Sequence, residues 1–468
     1  MAKKLFGKDI LIILIVFLIS RVIVRAFGIH FGYLALYQYW QYLDVETLKH
    51  NLLIGVWYDH AQPPGFNLFL GVVLKLFGSH APFAFNIILK AITLINVFLL
   101  LNILKQLIPH KNLPLIICLL YLLSPATMIL ETELFYTIFI SFLLLLSIYF
   151  LLRFQQTQNL TNSFFIFLPL ALLCLTRSMY HLAWLIVISI AVVAFFRNRN
   201  GFNKLIASAC VCLLLVTGWY AKNYFVFGSF STSTWIGMNF SRNVFHDNEI
   251  QDSSRIEAYE AFSKISFYKK FISGDLEKKF SGINDRDLLN EFKNDTFINE
   301  NHISYIEVSK KYMDASKEYI KTHPTAYLKN VLQSTIIFFT PATRYPLAEE
   351  KAGKIKYYDA VYSFNLSQFA EGKQQRRIAL TISSLPKFII YFAVFFMIIR
   401  SAIRNKKINS LNLFIMLTIA FVFFVSSLFE HYENMRFRYE IEPLFLILLA
   451  QAIAVFLMKE KQETQNRI

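Results

Sequence analysis

Apolar runs of membrane-crossing length recur along this chain, and they leave it few ways to fold. A helix needs about 20 apolar residues to cross about 30 Å of hydrocarbon. Runs near that length fall at 8–27, 83–104, 113–130, 134–152, 179–196, 203–220, 381–401, 409–428 and 443–458, and a shorter one lies at 163–177. Lipid gives backbone groups no partner, so such runs satisfy themselves as helices. The expected fold class is an all-α polytopic membrane protein. Composition agrees: 56% of the 468 residues are hydrophobic and 17% are charged, whereas a soluble chain carries about 25% charged residues. Mean hydropathy is +0.45. Disorder, a disulfide scaffold, a collagen-like repeat and an ordinary cytosolic enzyme are excluded. Cys118, Cys174, Cys210 and Cys212 all sit in apolar runs and read as small buried residues.

Basic residues outnumber acidic ones by 47 to 31, a net charge of +16. Cytoplasmic loops concentrate such an excess, and no nucleic-acid partner is inferred. Lys3, Lys4 and Lys8 precede the first run, which reads as a retained helix. Further basic groups are Lys105 and Lys111, Arg153, Arg197 to Lys204, Arg400 to Lys407, and Lys459 and Lys461. All of them fall on one side if the chain crosses about ten times. Segments 64–77 and 326–340 then lie along the outer interface, and both termini are cytoplasmic. The outer side receives 28–82, 124–133, 221–380 and 429–442. Three regions follow: a transmembrane region 1–220 with outer loops 28–82 and 124–133, an outer-side, mostly helical segment 221–380 with an interfacial helix, and a transmembrane region 381–468. Residues from Ser241 to Lys321 are rich in charge, as a small outer domain would be.

The outer loops hold the groups capable of chemistry. Asp44 and Glu46 follow the first run, amid Trp and Tyr that favour the interface, and Asp59, His60, Pro63 and Pro64 come next. Glu131 and Glu133 lie between two apolar runs, where a carboxylate is costly without a task or a partner. Thr132 and Glu133 equally suit a first helical turn. Arg177, Lys222 and Arg438 each stand where a run reaches the outer interface. Cations there go against the usual bias, and a phosphate is the simplest reason for them. Arg436 and Arg438 also have Glu433, Glu440 and Glu442 as alternative ion-pair partners.

These residues, in this order, resemble the GT-C superfamily of membrane glycosyltransferases, and within it family 39, the protein mannosyltransferase and lipid A aminoarabinose transferase relatives. Asp44 matches the acidic residue of the first outer loop. His60, Pro63, Pro64, Gly65 and Leu76-Phe77-Gly78 match the stretch that follows. Pro125 with Thr132-Glu133, then Leu175-Thr176-Arg177, match two further motifs. Trp219, Asn223, Tyr224, Phe227, Gly228, Ser233, Thr234, Gly237 and Asn239 match a long central one. His323-Pro324 and Arg438-Tyr439 with Pro443 close the series. Lys222 stands where the family has Arg, and Val45 separates Asp44 from Glu46.

The resemblance implies a GT-C-like fold and transfer of a sugar from a polyprenyl-phosphate carrier to a hydroxyl or phosphate of a glycan, lipid or protein acceptor. The site would face outward, in a bacterial plasma membrane whose lipids it contacts. Asp44 would be the general base, worth about 10²–10⁴-fold, with Glu133 orienting the acceptor or Asp44 itself. Glu46, His60, Glu131, Arg177, Lys222 and Arg438 would bind substrate, the last three gripping the lipid phosphate as it leaves. A single displacement would invert the anomeric centre. No cofactor is required by any spacing. A divalent metal is left open, with Asp44, Glu131 and Glu133 as its ligands. The competing expectation is a transporter or flippase of lipid-linked glycans.

Overall fold

The computed structural model describes residues 2–197, 199–245, 286–290, 292–293, 297–404, 406 and 408–465. Among them, strand structure amounts to one antiparallel pair, Phe292–Lys293 against Phe297–Ile298. Apart from an isolated parallel bridge between Gly32 and Glu133, everything else regular among them is helical.

The first helix, α1 (Ala2–Ala26), carries Asp9, Arg21 and Arg25 within its apolar run. Asp9 pairs with Lys105 at 2.5 Å and Arg21 with Glu131 at 2.8 Å, so two of these charges are neutralised inside the protein. Three short helices follow: α2 (Ala35–Gln38), α3 (Val45–His50) and α4 (Leu52–Tyr58). Next, α5 (Pro64–Phe77) runs through a 3-10 turn into α6 (Ala81–Leu107), forming one helical stretch of 44 residues. Gly78 joins them at φ +52, a conformation that side chains resist.

The expected crossing 113–130 is broken. Pro125 has no N–H to donate and disfavours helical geometry at the residue before it. Ser124 is extended, so α7 (Leu113–Leu123) stops and α8 (Pro125–Leu130) starts afresh with Pro in its first turn. After α9 (Thr137–Thr157) come α10 (Leu160–Cys174), α11 (Leu182–Phe195) and α12 (Phe202–Phe227). The remaining helices are α13 (Ile236–Phe245), α14 (Arg286–Leu289), α15 (Tyr305–Thr322), α16 (Pro324–Phe339), α17 (Pro346–Lys354) and α18 (Lys356–Ser363). They are followed by α19 (Lys373–Arg404), α20 (Ser410–Phe429), α21 (Asn434–Glu440) and α22 (Glu442–Gln465). Both α12 and α19 reach into the 221–380 segment, and its charged part at 246–285 lies outside the described residues.

Among the described residues, five helical stretches are long and apolar enough to cross a membrane: Pro64–Leu107, α9, α12, α19 and α20. A sixth candidate span is the pair α21 and α22, bent by 60°. α7, α10 and α11 are apolar but shorter. The outward faces fit that setting: α19 exposes Ile382, Leu385, Ile389 and Phe392, side chains that lipid rather than water would cover. The chain is therefore an all-α, membrane-embedded protein. Cys118, Cys174 and Cys212 are buried as expected, whereas Cys210 is exposed because α12 turns that face outward.

One apolar core links the helices, with α9 against α6 and α10, α10 against α12, and α16 against α20 and α21. α13 lies on α15 at very close range. Gly237 donates its N–H to Ser309 Oγ at 3.0 Å, and a Cβ there would overlap the Ser309 carbonyl oxygen. Gly237→Ala should therefore push the two helices apart. We expect a loss of about 1–3 kcal/mol in thermal unfolding of the purified protein, outweighing the gain of up to about 1 kcal/mol that Ala gives a helix. An unchanged melting temperature would contradict this packing.

Candidate functional site

The segment between α2 and α5 is held by its own polar groups. Asp59 Oδ1 accepts the N–H groups of Ala61 and Gln62, both at 3.0 Å, and its Oδ2 accepts from Asn67 Nδ2 at 2.9 Å. Asn67 Oδ1 in turn accepts the Leu43 N–H at 3.2 Å. Lys293 reaches in from the strand pair to donate to the carbonyls of Trp40 at 3.1 Å and Tyr42 at 2.5 Å. The loop thus has fixed geometry although it lacks long helices.

Three of the motifs noted in the sequence meet here. His60 lies between Thr234 Oγ1, 2.8 Å from its Nδ1, and the Asn301 carbonyl, 3.0 Å from its Nε2. Thr234 N–H donates to the His60 carbonyl at 2.9 Å, and Ser233 Oγ to that of Ala61 at 2.6 Å. Gly65 N–H donates to the Leu175 carbonyl at 2.6 Å, and a Cβ on Gly65 would lie 2.6 Å from Thr176 Oγ1. This close approach accounts for glycine after the two prolines. Burial lowers His60 to about 3, so the ring is neutral. With both nitrogens engaged, it braces two loops.

The convergence walls a cavity of about 290 Å³. Its polar lining brings together Arg177 from the α10–α11 loop, Arg242 from α13, Glu430 and Glu433 between α20 and α21, and Arg436 from α21. Trp40, Met179, Phe421, Val425 and Phe429 line it as well. Arg436 is fully buried and ion-paired to Glu433 and, at 3.4 Å, to Glu440. Its guanidinium lies 4.5 Å from the Phe135 ring centre and 5.0 Å from that of Tyr345. Arg177 is ion-paired to Glu440 and lies 3.7 Å over the Phe437 ring. Arg242 stands 5.5 Å from the Trp40 ring. Its neighbour Asn243 anchors α13 by donating to the carbonyls of Ser427 and Leu428 at 3.1 and 2.8 Å. Burial alone would raise the Glu433 carboxyl, but the Arg436 and Arg242 charges pull it below its ordinary range. Glu430 goes the other way: burial and the neighbouring Glu433 charge push it up to about 7.

Of the eight expected site residues, Arg177 lines this cavity and the other seven do not. Asp44 is buried and caps α3, accepting the Glu46 N–H at 2.8 Å. Glu46 is exposed, 3.3 Å from Lys49. Glu131 is gripped by Arg21 through two bonds of 2.8 and 2.9 Å. Glu133 pairs with Lys351 at 2.6 Å, and burial raises its carboxyl against that pull. Lys222 is buried, donates to the Trp57 carbonyl at 2.7 Å and sits 4.0 Å over the Trp219 ring. Arg438 faces away: its Nε donates to the Phe338 carbonyl at the end of α16 at 2.9 Å, and it ion-pairs with Glu442. It thus neutralises the negative end of that helix. Asp44, Glu131 and Glu133 do not converge as a metal site, and among the described residues no three His, Cys, Asp or Glu side chains do.

Arg242 and Glu430 were missed, whereas Arg436 was named with Glu433 and Glu440 as its possible partners, the pairing the structure has, though neither Glu433 nor Arg436 was placed at the site. Glu433 and Arg436 had a legible signal: Glu433, just before α21, and Arg436 and Glu440 within it are spaced by three and four residues, which brings them to one side of the helix. Arg242 had none, since its place depends on α13 folding back onto α20. No family model, no curated protein and no solved structure matches the chain.

The Arg21–Glu131 pair allows a direct test of structure against binding. Glu131→Gln strands a largely buried guanidinium and should cost about 3–5 kcal/mol in detergent unfolding. The double variant Arg21→Met/Glu131→Leu should regain most of that. A single variant of unchanged stability would show that Glu131 serves something other than this pair.

Proposed function

We propose that the chain is a multi-pass membrane glycosyltransferase of the GT-C type. It crosses the bilayer about ten times and moves a sugar from a polyprenyl-phosphate carrier to an acceptor hydroxyl or phosphate. Its site faces the outer side of a bacterial plasma membrane. The cavity carries this reading. Guanidinium groups from three separate segments meet two carboxylates against an apolar wall, at one end of helices fit for lipid.

Guanidinium is the side chain best shaped to hold phosphate, and fixed cations stabilise charge that grows on a leaving group. Carboxylates beside them can take the proton that an attacking hydroxyl must lose. At about 290 Å³ the cavity is near the small end of ligand sites, which run from about 300 to 1,000 Å³. It suits a sugar phosphate headgroup, with the carrier tail left in lipid. The expected phosphate contacts change accordingly: Arg177 stays, Arg242 and Arg436 join it, and Lys222 and Arg438 act as buried anchors.

Arg242 is half-buried where Arg177 and Arg436 are buried, and so tests the reading with less risk to the fold than either. Purified wild-type protein, given polyprenyl-phosphate-linked glucose, mannose and arabinose in turn with membranes of the producing cells as acceptor, should release polyprenyl phosphate from one of them. Arg242→Gln should cut release at least about tenfold, in line with a lost charge-assisted bond of about 1.5–3 kcal/mol, at an unchanged melting temperature. Movement of the intact lipid-linked sugar across vesicles, with no polyprenyl phosphate released, would establish a transporter instead.

A further inference from the structure

Most carboxylates at this end of the helices are committed to a cation. Glu433 and Glu440 hold Arg436, Glu440 also holds Arg177, Glu442 holds Arg438 and Glu133 holds Lys351. Glu430 is different. Among the described residues no cation lies within ion-pair distance of it, and its Oε1 accepts only the His431 N–H, at 3.1 Å. Its backbone is nevertheless fixed. Its N–H donates to the Ser426 carbonyl at 3.1 Å, and its own carbonyl lies 3.0 Å from Ser334 Oγ and 3.2 Å from Asn434 Nδ2. A carboxylate on a rigid backbone thus lines the cavity with no cation paired to it among the described residues and with Oε1 engaged by the His431 N–H alone.

We propose that Glu430 is the proton acceptor of this cavity. The inference rests on the transferase reading. The acceptor O–H loses its proton to the Glu430 carboxylate. The oxygen forms a bond to the anomeric carbon, and the bond from that carbon to the phosphate oxygen breaks. Its electron pair stays on the phosphate, whose new charge faces Arg177, Arg242 and Arg436. The proton leaves Glu430 for solvent before the next turnover.

Electrostatics fits the role. A base works best when its pKa lies near the working pH, and burial with the Glu433 charge brings Glu430 to about 7. Around it stand Glu433 and Arg436 from the α20–α21 turn and α21, Arg242 from α13, Arg177 and His181 from the α10–α11 loop, and His431 beside it in the chain. Below about pH 7 Glu430 is neutral, which disables it as a base but favours an anion beside it. Turnover and phosphate binding should therefore depend on pH in opposite directions.

The test uses the full chain in detergent. Wild-type kcat should fall as pH drops through about 7. Glu430→Gln should lower kcat by at least about 10²-fold, lower donor KM at pH 8 by up to about tenfold because no ionised carboxylate then opposes the donor phosphate, and flatten the profile, while Glu430→Asp retains part of the rate. Polyprenyl phosphate alone should bind wild type about tenfold more tightly at pH 6 than at pH 8, relative to Glu430→Gln, which follows only the ligand's own titration. That factor corresponds to about one unit of pKa coupling. Active protein in which Glu430→Gln keeps its rate and its pH profile would overturn the inference alone. So would loss of the acidic limb in Asp44→Asn but not in Glu430→Gln. Wild type that neither binds polyprenyl phosphate nor releases it would sink the transferase reading, and this inference with it.

Discussion

A charge buried beside lipid must bring its own partners, and Arg436 is where this protein meets that constraint. The residue is fully buried, ion-paired to Glu433 and Glu440 and packed among aromatic rings. Glu440 extends the system to Arg177 on another loop. Removing any member would leave an uncompensated charge, which costs far more than the intact pair contributes. The loop between α10 and α11, helix α21 and the aromatic turn around Phe135 and Tyr136 are thereby tied together. The cavity is the space these tied elements leave between them.

The same constraint separates anchors from candidate working groups. Arg21 with Glu131, Lys351 with Glu133, Arg438 with Glu442 and Asp9 with Lys105 are closed pairs joining elements distant in sequence. Lys222 is closed differently, by a carbonyl and an indole face. Each satisfies its charge within the protein and none lines the cavity, whereas Arg177 and Arg436, also ion-paired, do. Glu430, half-open to a cavity lined by guanidinium groups, keeps a reason to meet a substrate.

Some residues singled out in the sequence lie in segments that reach the cavity without lining it themselves. In the 429–442 segment the phosphate contact was expected at Arg438, and the cavity has Arg436. Two residues apart on a helix point to nearly opposite sides, so one arginine faces the cavity and the other the end of α16. Asp44, expected as a base, stands just before α3 and caps it. His60 and Gly65 were correctly singled out with their neighbours, but as the stitching of two loops.

The sequence by itself determined that the protein is helical and lies in a membrane, because apolar runs of that length have no other way to satisfy their backbone in lipid. It also determined where the polar interruptions fall, and hence which loops hold the titratable groups. Only the tertiary structure decided which charges neutralise one another. Ion pairing depends on a few ångströms between residues often more than a hundred positions apart, as with Arg21 and Glu131 or Arg177 and Glu440. Apolar periodicity carries no record of that distance. Packing sets it, and packing left Glu430 beside three arginines with none of them bonded to it.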